Sequence, residues 1–155
     1  MNTLSKIGLA VIGLALATPG FAAKDPNKAA IEARQGEMEL RSFFAGPLFA
    51  MAKGKIPYDA AKAQMLADNL VKLMDIDVSS SWVKGTDNKA YPDDTTALPA
   101  IWTTYPEIGE YGKKYATAVN ELAAVAGDGE KALKGKVGAL GKSCKGCHDE
   151  FREKD

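Results

Sequence analysis

The sequence predicts an all-α protein built as an antiparallel four-helix bundle. Apolar residues recur at intervals of three and four along four separate stretches, which is the spacing with which a helix buries one face. Strand-like alternation of apolar and polar residues is scarce. The chain has 155 residues, which suits one domain with a core of its own.

The first two helices are predicted over residues 27–52 and 58–73. Asp25 and Pro26 form a typical helix start, and Gly54 follows a typical helix end. The Gly46-Pro47 pair lies inside the first helix and is expected to bend it. Two apolar faces run along this helix, one formed by Ile31, Met38, Ala45, Phe49 and Ala52, and the other by Leu40, Phe43, Phe44 and Met51.

The other two helices are predicted over residues 106–125 and 130–152, after a long connection at residues 75–105. Loops of this length are usually functional or locally structured, so we expect the connection to pack against a ligand of the bundle or to cap its end. Pro106 suits the first turn of the third helix. The last helix carries one apolar stripe that consists of Leu133, Val137, Leu140, Cys144, Cys147, His148 and Phe151.

The last helix contains the motif Cys144-Lys145-Gly146-Cys147-His148, which uses both cysteines and the only histidine of the chain. The C-x-x-C-H pattern indicates covalent attachment of a c-type haem. The two thiols would add to the haem vinyl groups, and His148 would bind the iron from one face. Because the motif continues the apolar stripe of its helix, we expect one haem c in the core of the bundle.

Other uses of these residues fit the sequence less well. A structural zinc site normally needs four nitrogen or sulfur ligands, and only three are present. A thiol–disulfide oxidoreductase would need a βαβ context, which this part of the sequence lacks. A plain disulfide between Cys144 and Cys147 would leave His148 unexplained.

The N-terminus has the pattern of a secretory signal peptide. A short region with Lys6 precedes an uncharged apolar run at residues 7–17, and Ala22-Ala23 supplies small residues for cleavage. The run is too short to span a membrane. We therefore expect residues 1–23 to be removed and residues 24–155 to form a single domain in the bacterial periplasm, without a membrane anchor.

Charge and composition exclude several classes of function. The full chain carries 20 basic and 20 acidic residues, and removal of residues 1–23 takes away only Lys6. The mature chain thus has no basic excess with which to bind nucleic acid. No enzymatic constellation competes for the single histidine, so we expect the protein not to be an enzyme.

Three stretches of this sequence resemble class II cytochromes c, the cytochrome c′ family and its low-spin relatives. They are residues 144–152 (CKGCHDEFR), residues 53–61 (KGKIPYDAA) and residues 99–102 (PAIW). The first resembles the haem helix of that family, the second its link between the first two helices, and the third the segment before its third helix. The resemblance covers essentially the whole mature chain and implies a four-helix bundle.

The resemblance also implies which residues surround the haem. The family covers the face of the haem opposite the histidine with a residue of the first helix, and the ungapped register from residues 53–54 places Met38 there. Methionine at this position is typical of the low-spin branch, in which it binds the iron. Arg34, four residues earlier, would reach a haem propionate or be a solvated surface arginine. Arg152 would lie near His148 or simply place a favourable charge at the end of its helix.

These residues predict a periplasmic c-type cytochrome that carries one electron on a haem ligated by His148 and Met38. The alternative is a five-coordinate cytochrome c′, in which Met38 only packs against the haem and nitric oxide or carbon monoxide binds the iron. Lys136, Lys142, Lys145 and Lys154 make the last helix locally basic, and they would either guide an acidic redox partner protein to the haem edge or form only a solvated face. The resemblance also implies a homodimer through the first two helices, which the second apolar face of the first helix would suit, although this face could instead pack within the bundle.

Covalent haem attachment gives a direct prediction. The protein secreted to the periplasm is expected to have the mass of residues 24–155 plus one haem, measured by intact mass spectrometry under denaturing conditions. Replacement of both Cys144 and Cys147 by alanine is expected to abolish the added mass, because no thioether can then form. Haem that remained bound to this double variant after denaturation would contradict the assignment.

Overall fold

The computed structural model describes residues 25–154 and confirms the predicted helical bundle. The predicted signal peptide, residues 1–23, lies outside the described residues. The elements, in chain order, are α1 (Pro26–Ala52), α2 (Ala60–Met74), a short 3₁₀ turn (Ser79–Ser81), α3 (Ala100–Thr103), α4 (Glu107–Ala123) and α5 (Glu130–Phe151).

The helix starts follow from capping side chains. The Asp25 carboxylate accepts a hydrogen bond from the backbone N–H of Asn27, at 2.9 Å, in the first turn of α1. The Asp59 carboxylate accepts one from Lys62 N–H, at 2.9 Å, in α2. Because Asp59 is the cap, α2 begins two residues later than the apolar pattern predicts.

The four long helices contact one another in a closed ring. α1 packs against α2, α2 against α4, α4 against α5, and α5 against α1. The short links at residues 53–59 and 124–129 join neighbours in this ring, which makes each linked pair antiparallel. The side chains most completely buried in the core are Leu48, Met51, Leu70, Val119, Leu122, Leu133 and Leu140.

Part of the second apolar face predicted for α1 is buried in the core, and the rest is exposed to solvent. Met51 is 1% exposed and belongs to the core, and Phe44 packs against the core. Leu40 is 45% exposed and Phe43 is 70% exposed. α1 is a single helix across Gly46 and Pro47.

The connection at residues 75–105 is held to α1 by a buried arginine. Arg34 is 3% exposed. Its guanidinium donates to the carbonyl of Ser81 at 3.3 Å, to Thr86 Oγ1 at 2.6 Å and to Thr95 Oγ1 at 3.3 Å, and it also donates to the carbonyl of Thr86. The backbone of the connection thus folds around one side chain of α1.

The same connection also pairs with the end of α5. Leu98 N–H donates to the carbonyl of Phe151 at 2.9 Å, and Glu153 N–H donates to the carbonyl of Thr96 at 2.8 Å. Ala97 and Arg152 form an isolated antiparallel bridge between these bonds. Of the two roles predicted for the connection, the structure therefore supports capping one end of the bundle.

A helix can cross a membrane only if it is long and apolar enough. Within residues 25–154, no helix combines the length and the apolar character that crossing a bilayer requires.

The Arg34 hydrogen bonds predict a stability effect at Thr86, which is completely buried. Thr86→Val removes a neutral acceptor of a charged donor, and we expect the free energy of unfolding to fall by about 1.5–3 kcal/mol, measured by urea denaturation. Thr96→Val is the matched control, because the Thr96 side chain is exposed. Equal losses in the two variants would contradict the role given to Arg34.

Candidate haem site

α5 carries the three motif residues within little more than one helical turn. Cys144, Cys147 and His148 are half-buried, and the two thiols are free. Cys144 packs against the same core cluster that includes Leu140 and Val137. Positions three and four apart share one face of a helix, so all three side chains address the same side of α5.

Burial sets the protonation of these residues. It raises the pKa of the Cys144 and Cys147 thiols, and the positive charge of Arg41 opposes the shift in both. Burial also lowers the pKa of His148, and the charge of Arg152 lowers it further. The imidazole is therefore held neutral, which is the form that binds a metal ion.

Arg34 is buried, so it is not the solvated surface arginine that was one of the two expectations. Burial lowers the pKa of its guanidinium, and the rings of Trp82 and Trp102 have their centroids 5.6 and 5.8 Å from the guanidinium carbon. All of its hydrogen-bond acceptors within residues 25–154 are neutral oxygens. A buried cation without an anionic hydrogen-bond partner suits a site for a carboxylate group.

Met38 and Arg152, the other two predicted site residues, lie at less buried positions. Met38 is half-buried on α1, one turn after Arg34. Arg152 is exposed, and its backbone N–H donates to the carbonyl of His148 at 3.1 Å. Arg152 thus ends the helix that carries His148, and its charge acts on the imidazole.

Sequence reasoning missed a group of polar residues beside the motif, which we call the polar wall: Glu37, Arg41 and Tyr115. Glu37 accepts a hydrogen bond from Arg41 one turn later on α1. The Arg41 guanidinium lies over the Tyr115 ring of α4, 4.3 Å from its centroid. The only sequence signal for this group was the pairing of opposite charges four residues apart.

The polar wall lines a cavity of about 560 Å³, together with Trp82 and residues 73–79. Three of its buried polar atoms have no hydrogen-bond partner among residues 25–154, namely Glu37 Oε2, Arg41 Nε and the Tyr115 hydroxyl. Buried polar groups are normally paired, so unpaired ones beside a cavity suggest a bound group or water. Arg41, which lines this cavity, is also the residue whose charge opposes the effect of burial on the pKa of both motif thiols.

The residues present therefore fit a haem. Two thiols and a neutral imidazole share one face of α5, and the buried guanidinium of Arg34 donates only to neutral oxygens among residues 25–154. Within the described chain, groups of histidine, cysteine and carboxylate side chains suitable for holding a bare metal ion are not found.

Comparison with known proteins gives a consistent result. A family model described as Cytochrome C′ matches residues 29–152. The cytochrome c′ of Cereibacter sphaeroides is 39% identical over 154 residues, which cover 97% of this chain and 99% of that one. A solved cytochrome c′ from Rhodobacter sphaeroides is 40% identical with a TM-score of 0.81, over 83% of this chain and 98% of the other.

Two more distant structures carry information on ligands. A mutant of the cytochrome c′ from Alcaligenes xylosoxidans, solved as a nitric oxide complex, is 27% identical with a TM-score of 0.71, over 83% of this chain and 97% of the other. A cytochrome c′ with ligand-controlled dimer dissociation is 26% identical with a TM-score of 0.74, over 86% of this chain and all of the other.

These similarities overturn the electron-carrier prediction. The relatives with 39% identity over the whole chain and with 38% identity over 128 residues are both named cytochrome c′, the five-coordinate class, so the assignment to the low-spin branch with iron bound by His148 and Met38 was wrong. The placement of Met38 opposite His148 came from the register of the resemblance and stays a prediction, and register does not determine whether a sulfur bonds to iron. A flexible thioether fills an apolar space equally well as a packing residue.

The fold, the motif and the similarity over nearly the whole length lead to one conclusion. The chain belongs to the cytochrome c′ family, and its cofactor is a covalently bound haem c.

Proposed function

We propose that this protein is a five-coordinate cytochrome c′ that binds nitric oxide or carbon monoxide. The observation that carries the proposal is the similarity to cytochromes c′ along the whole chain, including one relative solved with nitric oxide. The sequence agrees, because His148 is the only histidine and leaves the opposite face of the haem without a second imidazole.

The residues of the site take separate roles in this proposal. Cys144 and Cys147 hold the haem by thioether bonds, and His148 offers a neutral imidazole because burial and Arg152 lower its pKa. When bound, the haem iron supplies the affinity for a diatomic gas.

Arg34 is assigned to a haem propionate, and Met38 is assigned to the face of the haem opposite His148. Arg34 is the buried cation that would pair with a propionate, because its hydrogen-bond acceptors among residues 25–154 are all neutral oxygens. Met38 packs on the face opposite His148 and limits the space there. Both roles rest on the position of these side chains on α1, one turn apart.

We assign the protein to the bacterial periplasm, with residues 1–23 as a cleaved signal peptide. The charge and apolar pattern of this segment supports the assignment. The family match begins only at residue 29, after the proposed cleavage position. Binding of a gas, rather than turnover of a substrate, is the proposed activity.

We propose a homodimer through the exposed part of α1. Phe43 is 70% exposed and contacts Phe44 edge to face, with ring centroids 5.4 Å apart, and Leu40 is 45% exposed one turn earlier. Large exposed apolar side chains that adjoin one another are typical of interaction surfaces. One relative, described by its ligand-controlled dimer dissociation, supports a second copy as the occupant.

Ligand binding is tested by absorption spectroscopy of the holoprotein. We expect a high-spin spectrum in the oxidised state and carbon monoxide binding in the reduced state. Met38→Leu is expected to leave the oxidised spectrum high-spin, because the side chain only packs. Met65→Leu is the control, since Met65 is 51% exposed. A low-spin wild-type spectrum that became high-spin only in Met38→Leu would contradict the proposal.

The dimer is tested by sedimentation equilibrium. Phe43→Asp is expected to convert dimer to monomer, because it buries a charge in the contact. Tyr105→Asp is the control, since Tyr105 is 76% exposed and lies in the connection instead of on α1. A wild-type protein that sediments as a monomer, or a dimer unaffected by Phe43→Asp, would overturn this interface.

A further inference from the structure

His148 lies in the last turn of α5, and this position needs support from outside the helix. α5 ends at Phe151, three residues later, and the last turns of helices fray unless other parts of the structure hold them. The carbonyl of His148 accepts the closing hydrogen bond of the helix from Arg152 N–H, at 3.1 Å. An anchor on the chain just after Phe151 therefore limits how far the turn that carries His148 can open.

Asn88, in the connection between α2 and α4, provides such an anchor. Asn88 is 4% exposed. Its side-chain Nδ2 donates to Glu153 Oε2 at 2.8 Å, and its backbone N–H donates to the carbonyl of Ala97 at 2.8 Å. Ala97 is in turn bridged to Arg152. Asn88 thus binds both of the segments that pair beyond the end of α5.

Asn88 makes this contact at the expense of another hydrogen bond. Its Oδ1 is buried and has no partner among residues 25–154. An unpaired buried amide oxygen costs free energy, and an apolar side chain that only filled the space would not carry this cost. The donor that faces Glu153 makes a charge-assisted hydrogen bond to a carboxylate, which is among the stronger kinds in proteins. The arrangement indicates that the bond to Glu153 is the reason for an asparagine at this position.

Separate contacts hold the last residue of the helix itself. Phe151 is 5% exposed, and its ring meets the Tyr111 ring of α4 edge to face, with centroids 5.4 Å apart. The carbonyl of Phe151 accepts a hydrogen bond from Leu98 N–H at 2.9 Å. These contacts hold the helix as far as Phe151, whereas the Asn88 bond holds the chain two residues beyond it.

We propose that Asn88 is a positioning residue for His148. Its bond to Glu153 keeps the last turn of α5 closed and so fixes the direction from which the imidazole meets the haem iron. The inference rests on the proposed five-coordinate function, in which His148 is the one protein ligand of the iron. In this role Asn88 acts through the backbone of α5 and not through contact with the haem.

The test is the resonance Raman spectrum of the reduced holoprotein, in which a five-coordinate haem shows an iron–histidine stretching band. Asn88→Asp keeps the size of the side chain, removes the amide donor and places a second carboxylate against Glu153. The band is expected to broaden and to shift to lower frequency, because the imidazole is held less firmly. Hydrogen exchange of the Arg152 amide is expected to speed up by roughly tenfold, because its bond to His148 opens more often. Asn120→Asp is the matched control, since it makes the same substitution at an exposed position of α4 and is expected to change neither quantity.

A reversed pair separates positioning from a general loss of stability. When Asn88→Asp is combined with Glu153→Gln, the amide introduced at position 153 can donate to the carboxylate introduced at position 88. The wild-type band and the wild-type exchange rate are then expected to return. If Asn88→Asp does not fold, Glu153→Ala carries the test, because Glu153 is exposed and its replacement removes the same bond.

The outcomes distinguish this inference from the function on which it rests. Absence of an iron–histidine band from the reduced wild type overturns the five-coordinate function and the inference together. A wild-type band that is unchanged in Asn88→Asp and in Glu153→Ala overturns the inference alone, and Asn88 then only stabilises the connection. A band that changes in Asn88→Asp but is not restored by the reversed pair also overturns the inference, while the five-coordinate function stands.

Discussion

One face of α5 both packs into the bundle core and carries the haem-attachment motif, and this double role constrains the arrangement of the other helices. Leu133, Val137 and Leu140 fill the core between α1 and α4, and the next turns of the same stripe carry Cys144, Cys147 and His148. A group attached there can lie only where the bundle core would otherwise continue. The helices around it must consequently leave space at that end.

The open end of the bundle is closed by the connection between α2 and α4. Buried Arg34 gathers carbonyl and hydroxyl oxygens of this segment, and the bridge between Ala97 and Arg152 ties the segment to the end of α5. A single buried guanidinium is costly to desolvate. Its hydrogen bonds and the flanking tryptophan rings offset part of that cost. The arrangement ties this segment to both α1 and the end of α5 without adding a further long helix.

The helices and the attachment motif were predictable because their signals are local. Periodic apolar residues, capping aspartates and the five residues from Cys144 to His148 are each legible in a short window of sequence. The folding of residues 75–105 around Arg34 was not predictable, because its partners are ordinary neutral oxygens of Ser81, Thr86 and Thr95. The polar wall joins residues of α1 and α4 that are more than seventy positions apart in the sequence. The error at Met38 has another source, because a sequence register gives a side chain's place but not the bond it makes.

The topology of the ring has a consequence for how the chain assembles. Its contacts between α1 and α2, and between α4 and α5, close short loops, whereas the contact between α1 and α5 joins segments separated by almost the whole domain. Closing a long loop costs more chain entropy than closing a short one. The two helical hairpins are therefore favoured as early structures, and the pairing of α1 with α5 carries the largest cost of loop closure.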